Sequence, residues 1–478
     1  MFEQQKSAPW YKSSTLLIGA CVVVFLAITV GVVMVFVRSR SKEAHYDELE
    51  HHRQQQAAQA PLAAPAATAA PVAQASPGAS PGQTAAAPAQ ASARNYWTNF
   101  RGPKRDGNYE ATPVLTSWPA NGLTPLWKQP VGLGYASFSV ADGRAYTIEQ
   151  RRAQEVVAAY DVATGRELWT QKWNAEFDDE TGDGPRATPT WDQGRLYALG
   201  ATGELRCLDA NSGAVIWGKN ILSDNQASNL QWAMAASPLI VDDKVIVLPG
   251  GANGKSVVAY NKMTGAPVWR VLGDQQAYVS PMLVELAGRR QIMVVSSSRV
   301  VGLVPETGAL LWSYAWDTSN GINVSQPIIV DRNRFFISSG YGKGAALVEV
   351  KATGQSFIAT TIWENINMKN KFNSSVLYNG YVYGMDEGIL TCLDVNTGER
   401  KWKGGRYGYR QLLVASGHLI VTSDSGDLAL VNASPDAYTE VARFSALQGK
   451  TWNIPAIADG RLLVRNANEM AAYDISRK

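Results

Sequence analysis

The heptad ATGRELW (163–169) returns as NSGAVIW (211–217), MTGAPVW (263–269), ETGALLW (306–312) and NTGERKW (396–402). A motif that recurs at intervals of a few tens of residues signals a repeat architecture, in which one supersecondary unit buries its apolar face against copies of itself. Within each unit the run before the motif (VVAAYD, ELRCLD, VVAY, ILTCLD) reads as one strand, and the run ending in tryptophan as the next. The turn glycine, at Gly165, Gly213, Gly265, Gly308 and Gly398, supplies the left-handed conformation between them. Asp161, Asp209, Asn261 and Asp394, four residues earlier, are placed to bond the turn backbone. The tryptophans Trp169, Trp217, Trp269, Trp312 and Trp402 then sit on an outermost strand. There each ring can cover the seam to a neighbouring sheet and bury on the order of 200 Å². In the fifth repeat the turn is Thr353-Gly354 and Trp363 arrives nine residues later; the seventh places Phe444 at the aromatic position.

A second signal fixes the count. A turn followed by a hydrophobic strand occurs at 142–148, 193–199, 242–248, 287–295, 332–338, 379–385, 416–422 and 459–465, eight times in all. The spacing averages about 45 residues, the period of a propeller blade. Asp-Gly and Asn-Gly between such runs are strong hairpin signals. The eighth repeat stops at AAYDISRK, one strand short, while LTPLWKQPV (123–131) carries an unused tryptophan of the same kind, Trp127. Pairing the two closes the ring and removes exposed edges. The expected fold is an all-β, eight-bladed propeller over residues 95–478, closed by its N-terminal strand.

The residues before it are of another kind. After a short tail (1–13), residues 14–37 contain no charge, long enough for a transmembrane helix. IGAC (18–21) resembles a lipoprotein box, but the apolar run continues past Cys21, which favours an uncleaved single-pass anchor. Residues 38–94, dominated by Ala, Pro and Gln from residue 54, are expected to be a disordered linker, since they can bury no core. Lys6 and Lys12 before the helix against Arg38, Arg40 and Lys42 after it would slightly favour a cytoplasmic C-terminal side.

Composition excludes several chemistries. The net charge is +3 with no basic block, which argues against nucleic-acid binding. Three of the four histidines precede the propeller, leaving His418 alone, too few for a His-based triad or a His-rich metal site. Cys207 and Cys392 fall in the second and sixth repeats, on opposite sides of an eight-blade ring, beyond disulfide reach, and are expected to be free thiols. The acidic loop DDETGDG (178–184) lacks the spaced ligand series of a calcium loop.

The repeated Leu-Asp-x-x-Thr-Gly-x-x-x-Trp pattern resembles the pyrroloquinoline-quinone (PQQ) repeat propellers, and WTNFRGPKRDGNY (97–109) resembles the leader that precedes many bacterial members. The resemblance implies the fold more than the function. The superfamily holds quinoprotein alcohol dehydrogenases and non-catalytic envelope propellers, including that of the outer-membrane barrel-assembly machinery. The dehydrogenases place a vicinal Cys-Cys disulfide against PQQ and a Glu-Asn-Asp set around Ca²⁺; neither is matched here. The resemblance therefore implies a non-catalytic scaffold outside the cytoplasm that binds other envelope proteins or extended peptides. A PQQ- and Ca²⁺-dependent oxidoreductase is the alternative. The candidate partner face, just before the innermost strands, comprises Arg186, Trp232, Tyr278, Asn323, Asn373, Tyr409, Arg410 and Trp452, a composition enriched at protein interfaces. Ser137, Thr188, Ser237, Ser280, Ser325 and Ser374 recur at the strand starts, where hydrogen bonding near the axis is their expected role.

Overall fold

Alternation of apolar runs with turn residues produces eight antiparallel sheets arranged as blades, in a computed structural model that describes residues 11–59, 96–354 and 356–477, the helix at its start in backbone only over most residues up to 36. Blade 1 shows the plan: Ser139–Ala141 innermost, then Arg144–Arg151, Gln154–Asp161 and Glu167–Asn174 outermost. In six blades the first hairpin turn is a residue with positive φ followed by a positive-φ glycine, such as Asp142-Gly143 and Asn379-Gly380, as a type I′ turn requires. Blade 8 is completed by Pro125–Pro130, which pairs antiparallel with Glu469–Asp474 and sets Trp127 opposite Ala472. The ring is closed as expected. A fifth strand in blade 7, Asn108–Tyr109, runs parallel to Leu412–Ala415 and belongs to the leader.

The turn glycine and the tryptophan of one motif act in different seams. Each ring lies over the glycine turn of the following blade: Trp127 over Gly165, Trp169 over Gly213, Trp217 over Gly265, Trp269 over Gly308 and Trp363 over Gly398. A Cβ on Gly213 would fall 2.4 Å from Trp169 Cε3, so these positions exclude any side chain for steric as well as conformational reasons. The indole N–H completes the joint by donating to a carbonyl of that next turn, as Trp169 does to Ala210 (3.2 Å) and Trp402 to Ser434 (2.8 Å). The predicted side-chain caps form as well: Asp161, Asp209, Asn261 and Asp394 each accept from the backbone N–H three residues on.

Trp312 departs from this scheme. The blade 5 hairpin, Gly344–Thr353 with Ser356–Asn365, is long enough to carry Gly354 away from the seam, where a Cβ added to it would meet no described atom within 4 Å beyond its chain neighbours. Trp312 instead donates to Gln291 Oε1 (2.5 Å) inside its own blade and stacks on Phe335. Cys207 and Cys392 are buried and free, each opposite its blade's tryptophan.

The linker expectation needs correction. Residues 38–59 are the C-terminal part of one helix, Tyr11–Gln59, which we call the arm. Its Ala, Glu, Leu, Arg and Gln are strong helix formers, and elongation from an existing turn costs little. Tyr46 and Leu49 are buried against the propeller, and the arm runs beside the strand Pro125–Pro130. Residues 60–94, and most side chains of the apolar run 14–37, lie outside the described residues. Among the described residues no helix is long and apolar enough to cross a membrane.

Candidate functional site

At the start of each innermost strand, backbone groups of adjacent blades converge on the axis. The recurrent hydroxyls tie them together: Ser137 N–H donates to Thr188 Oγ1, Thr188 N–H to Ser237 Oγ and Ser237 N–H to Ser280 Oγ, each at 2.9 Å. The hydroxyls are thus structural links between blades. At the other end of the inner strands the leader crosses the axis, with Trp97 bridged to Val140 and Asn108 paired with Val414. Two buried guanidinium groups anchor it. Arg101 donates to Ser375 O (2.7 Å), and Arg105 to Ser237 O (3.0 Å), Pro281 O (3.1 Å) and Pro238 O. Burial pushes Arg105 down to about 9 and Arg101 to about 10, leaving both charged at neutral pH. The leader therefore stoppers one end of the channel, and Phe100 reaches through to line the floor of a cavity at the other.

That cavity, which we call the mouth, holds about 190 Å³ and is lined by Tyr135, Arg186, Trp232, Tyr278, Phe372 and Trp452, together with Thr181 and Gln411. Tyr135, Trp452 and Phe372 form a continuous stack, with centroids 5.2 and 5.3 Å apart, and Tyr409 meets the edge of Phe372 at 5.9 Å. Cations crown the stack. Lys450 Nζ lies 3.7 Å from the Trp452 ring centroid, Arg410 5.0 Å from the same ring, and Lys371 4.9 Å from Tyr409. Arg186 covers Phe177 and Tyr135. Burial, then Arg410 and Arg186, lower the Lys450 pKa; burial lowers Arg410 to about 10. Among the described residues no carboxylate lines the cavity. Gln411 Oε1 and Trp452 Nε1 are buried without a hydrogen-bond partner, two polar groups available to an incoming ligand, while Arg410 is ion-paired with Asp424.

Of the eight candidates, Arg186, Trp232, Tyr278 and Trp452 share the cavity, and Tyr409 and Arg410 adjoin it. Asn323 does not belong to a partner face. It is buried, donating to Ser296 O (3.0 Å) and accepting from Ser339 Oγ (2.7 Å), so it braces its loop. Asn373 is also buried and accepts from Asn370 Nδ2. Tyr135 and Phe372 were missed, although a signal exists: each stands two residues before a ring serine, as Arg186 and Tyr278 stand before Thr188 and Ser280. The cations Lys371 and Lys450 carry no such mark. The acidic loop 178–184 is held between two bodies: Lys42 and Arg38 of the arm on one side, Tyr135, Arg186 and Lys450 of the mouth on the other.

A family model described as outer membrane protein assembly factor BamB matches residues 153–404, over half of the chain. The chain is 25% identical over 267 residues to the outer membrane protein assembly factor BamB of Shewanella oneidensis, covering 53% of this chain and 65% of that one. It thus spans slightly under two thirds of that relative. A quinohemoprotein alcohol dehydrogenase of Pseudomonas putida is 29% identical over 140 residues, 27% of this chain and 18% of that enzyme. The crystal structure of BamB from Moraxella catarrhalis superposes with a TM-score of 0.54 at 18% identity, over 74% of this chain and all of that one.

Proposed function

The chain belongs to the PQQ-repeat propeller family that the match over 153–404 defines, and from that premise we propose that it is a non-catalytic capture protein of the bacterial envelope. In this reading residues 14–37 form a single-pass anchor in the inner membrane, the propeller lies outside the cytoplasm, and the partners are segments of other envelope proteins, including those destined for outer-membrane assembly. The supporting observation is the Tyr135–Trp452–Phe372 stack crowned by Lys371, Arg410 and Lys450, with no carboxylate among the described lining residues. Aromatic faces receive an aromatic or aliphatic side chain, and the cations favour acidic neighbours. The mouth is therefore suited to extended segments rich in aromatic and acidic residues. A cavity of 190 Å³ falls below the roughly 300 Å³ at which sites for whole cofactors begin. It suits a side chain or two.

The alternative, a PQQ-dependent oxidoreductase, draws on the partial likeness to the Pseudomonas putida enzyme. The residues present do not fit PQQ with Ca²⁺. Among the described residues the cavity lining supplies no carboxylate for the cation, and Cys207 and Cys392 sit in separate blades, so they form no vicinal disulfide to face a quinone.

Fluorescence anisotropy separates the two. A labelled peptide alternating Phe or Tyr with Asp should bind, and its basic counterpart should not. Replacing Tyr135, Phe372 and Trp452 by Ala together should weaken binding at least thirtyfold, since one aromatic anchor contributes about 2 kcal/mol or more, with the circular dichroism spectrum retained. With PQQ and Ca²⁺ added, no alcohol-dependent dye reduction is expected. Quinone-dependent turnover would overturn the capture reading.

A further inference from the structure

The arm carries a geometric consequence. The uncharged run ends at Val37, and the next residue, Arg38, already touches the propeller, donating to Asp183 Oδ1 (2.6 Å) and Asp179 O (2.7 Å). No spacer separates the two. The contacts then continue at helical spacing. Lys42 pairs with Asp178 and Asp183 (both 2.8 Å), and His45 bonds to Val131 O (2.8 Å). Tyr46 and Leu49 are buried, His52 meets Gln129 (2.9 Å), and Arg53 reaches Pro130 O (3.1 Å) and Glu167 (3.3 Å). From the propeller side Arg152 pairs with Glu43 and Asp47. Positions three and four apart lie on one helical face, so residues 38–53 form a stripe about 22 Å long, fixed along its whole length.

The end at which the helix leaves is the mouth rim. Arg38 and Lys42 hold the loop 178–183, and Thr181 of that loop lines the mouth, its carbonyl accepting from Tyr135 and Lys450. Arg186 donates to Gly182 O of the same loop (2.8 Å). Preceding Arg38, Val30, Val33 and Val37 are 51%, 54% and 60% exposed, and Val33 and Val37 line, with Leu133, Glu180 and Asp183, an open cleft between the helix and the mouth rim. A helix that continues an uncharged run of this length is suited to the acyl region of a bilayer.

We propose that the docked arm is a strut that turns the mouth toward the bilayer holding residues 14–37, so that captured segments enter from the membrane side. The proposal rests on the reading of 14–37 as the anchor. A flexible tether would let the propeller tumble; a helix clamped from its first polar residue does not.

Full-length protein in phospholipid vesicles tests this. With Cys21→Ser, the remaining thiols are buried, so a single introduced cysteine takes the fluorophore. Gln448→Cys labels a loop on the mouth face, and Glu399→Cys labels a turn on the opposite face. A lipid carrying a headgroup quencher should quench the first several-fold more than the second. Equal quenching, or the reverse order, overturns the strut. The variant Arg38→Glu/Lys42→Glu/Arg152→Glu should lose the difference while staying in the pellet after alkaline carbonate. Persistence of the difference in that variant shows that the arm does not set the orientation and overturns the proposal. Release of the unaltered protein by carbonate overturns the anchor, and the strut with it.

Discussion

Arg105 is nearly inaccessible to solvent and pairs with no carboxylate among the described residues, yet it gathers carbonyls from blades 3 and 4 into one fork of donors. Inner strands of a propeller expose backbone carbonyls toward the axis, and each one left unpaired in the interior costs about 1–3 kcal/mol. A guanidinium presents five N–H groups in a fixed plane, which lets one side chain serve several of them. Arg105→Met keeps the length and removes the donors. It should lower stability by about 3 kcal/mol in urea unfolding, whereas Lys104→Met, at an exposed position beside Arg105, should change it by less than about 0.5 kcal/mol. Equal effects would show that the leader is held by packing alone. At this scale the sequence was partly legible. Arg186, Trp232, Tyr278 and Trp452 were recognisable as residues opening onto the axis because their distance from a strand start was readable. The carbonyl-binding role of Arg101 and Arg105 was not, because carbonyl groups leave no trace in a side-chain pattern.

Elements repeat more faithfully than their surroundings do. Gly213 and Gly354 both have positive φ, 74° and 64°, in the same hairpin position of two blades. Their neighbourhoods differ: Trp169 lies against Gly213, while open space surrounds Gly354. Gly354→Ala should therefore cost only the backbone term, about 1 kcal/mol. Gly213→Ala should cost that plus the displacement of a tryptophan, about 3 kcal/mol in all. Thermal unfolding of the two variants checks the difference, and similar shifts in Tm would mean that the ring is not seated on the turn. The turn chemistry was legible because it is local. The register of blade 5 was not. Counting six residues back from Gly354 gives Val348 as the equivalent of Cys207 and Cys392, yet Trp363 pairs with Leu347: the bulge beside the tryptophan is shared with the other blades, but this hairpin runs on to Thr353 opposite Ser356, so its glycine no longer marks the same register. A count taken from the turn fails when the hairpin changes length.

The whole molecule was legible where strands could be counted. Seven complete repeats, one incomplete repeat and a stray Trp127 sufficed to predict closure, and the pairing of Pro125–Pro130 with Glu469–Asp474 delivers it. The docking of the arm was not legible. It depends on pairs such as Arg38 with Asp183, 145 residues apart, and an acidic loop looks the same in sequence whether water or a helix covers it. Docking also changes what the Ala/Pro-rich tract is for. Residues 60–95 join Gln59, at the end of a helix docked on the propeller, to Tyr96, where the described propeller residues begin. A chain between two fixed points is a closed loop, and its length enters only through closure entropy. Doubling it costs about 0.6 kcal/mol. A protein with this tract duplicated should show an almost unchanged Tm and the same ratio of quenching between the two faces; collapse of that ratio would show that the tract carries the load. Its composition and length are accordingly free to drift, while under the strut proposal the height and facing of the propeller above the bilayer would be set by sixteen residues of helix, Arg38 to Arg53.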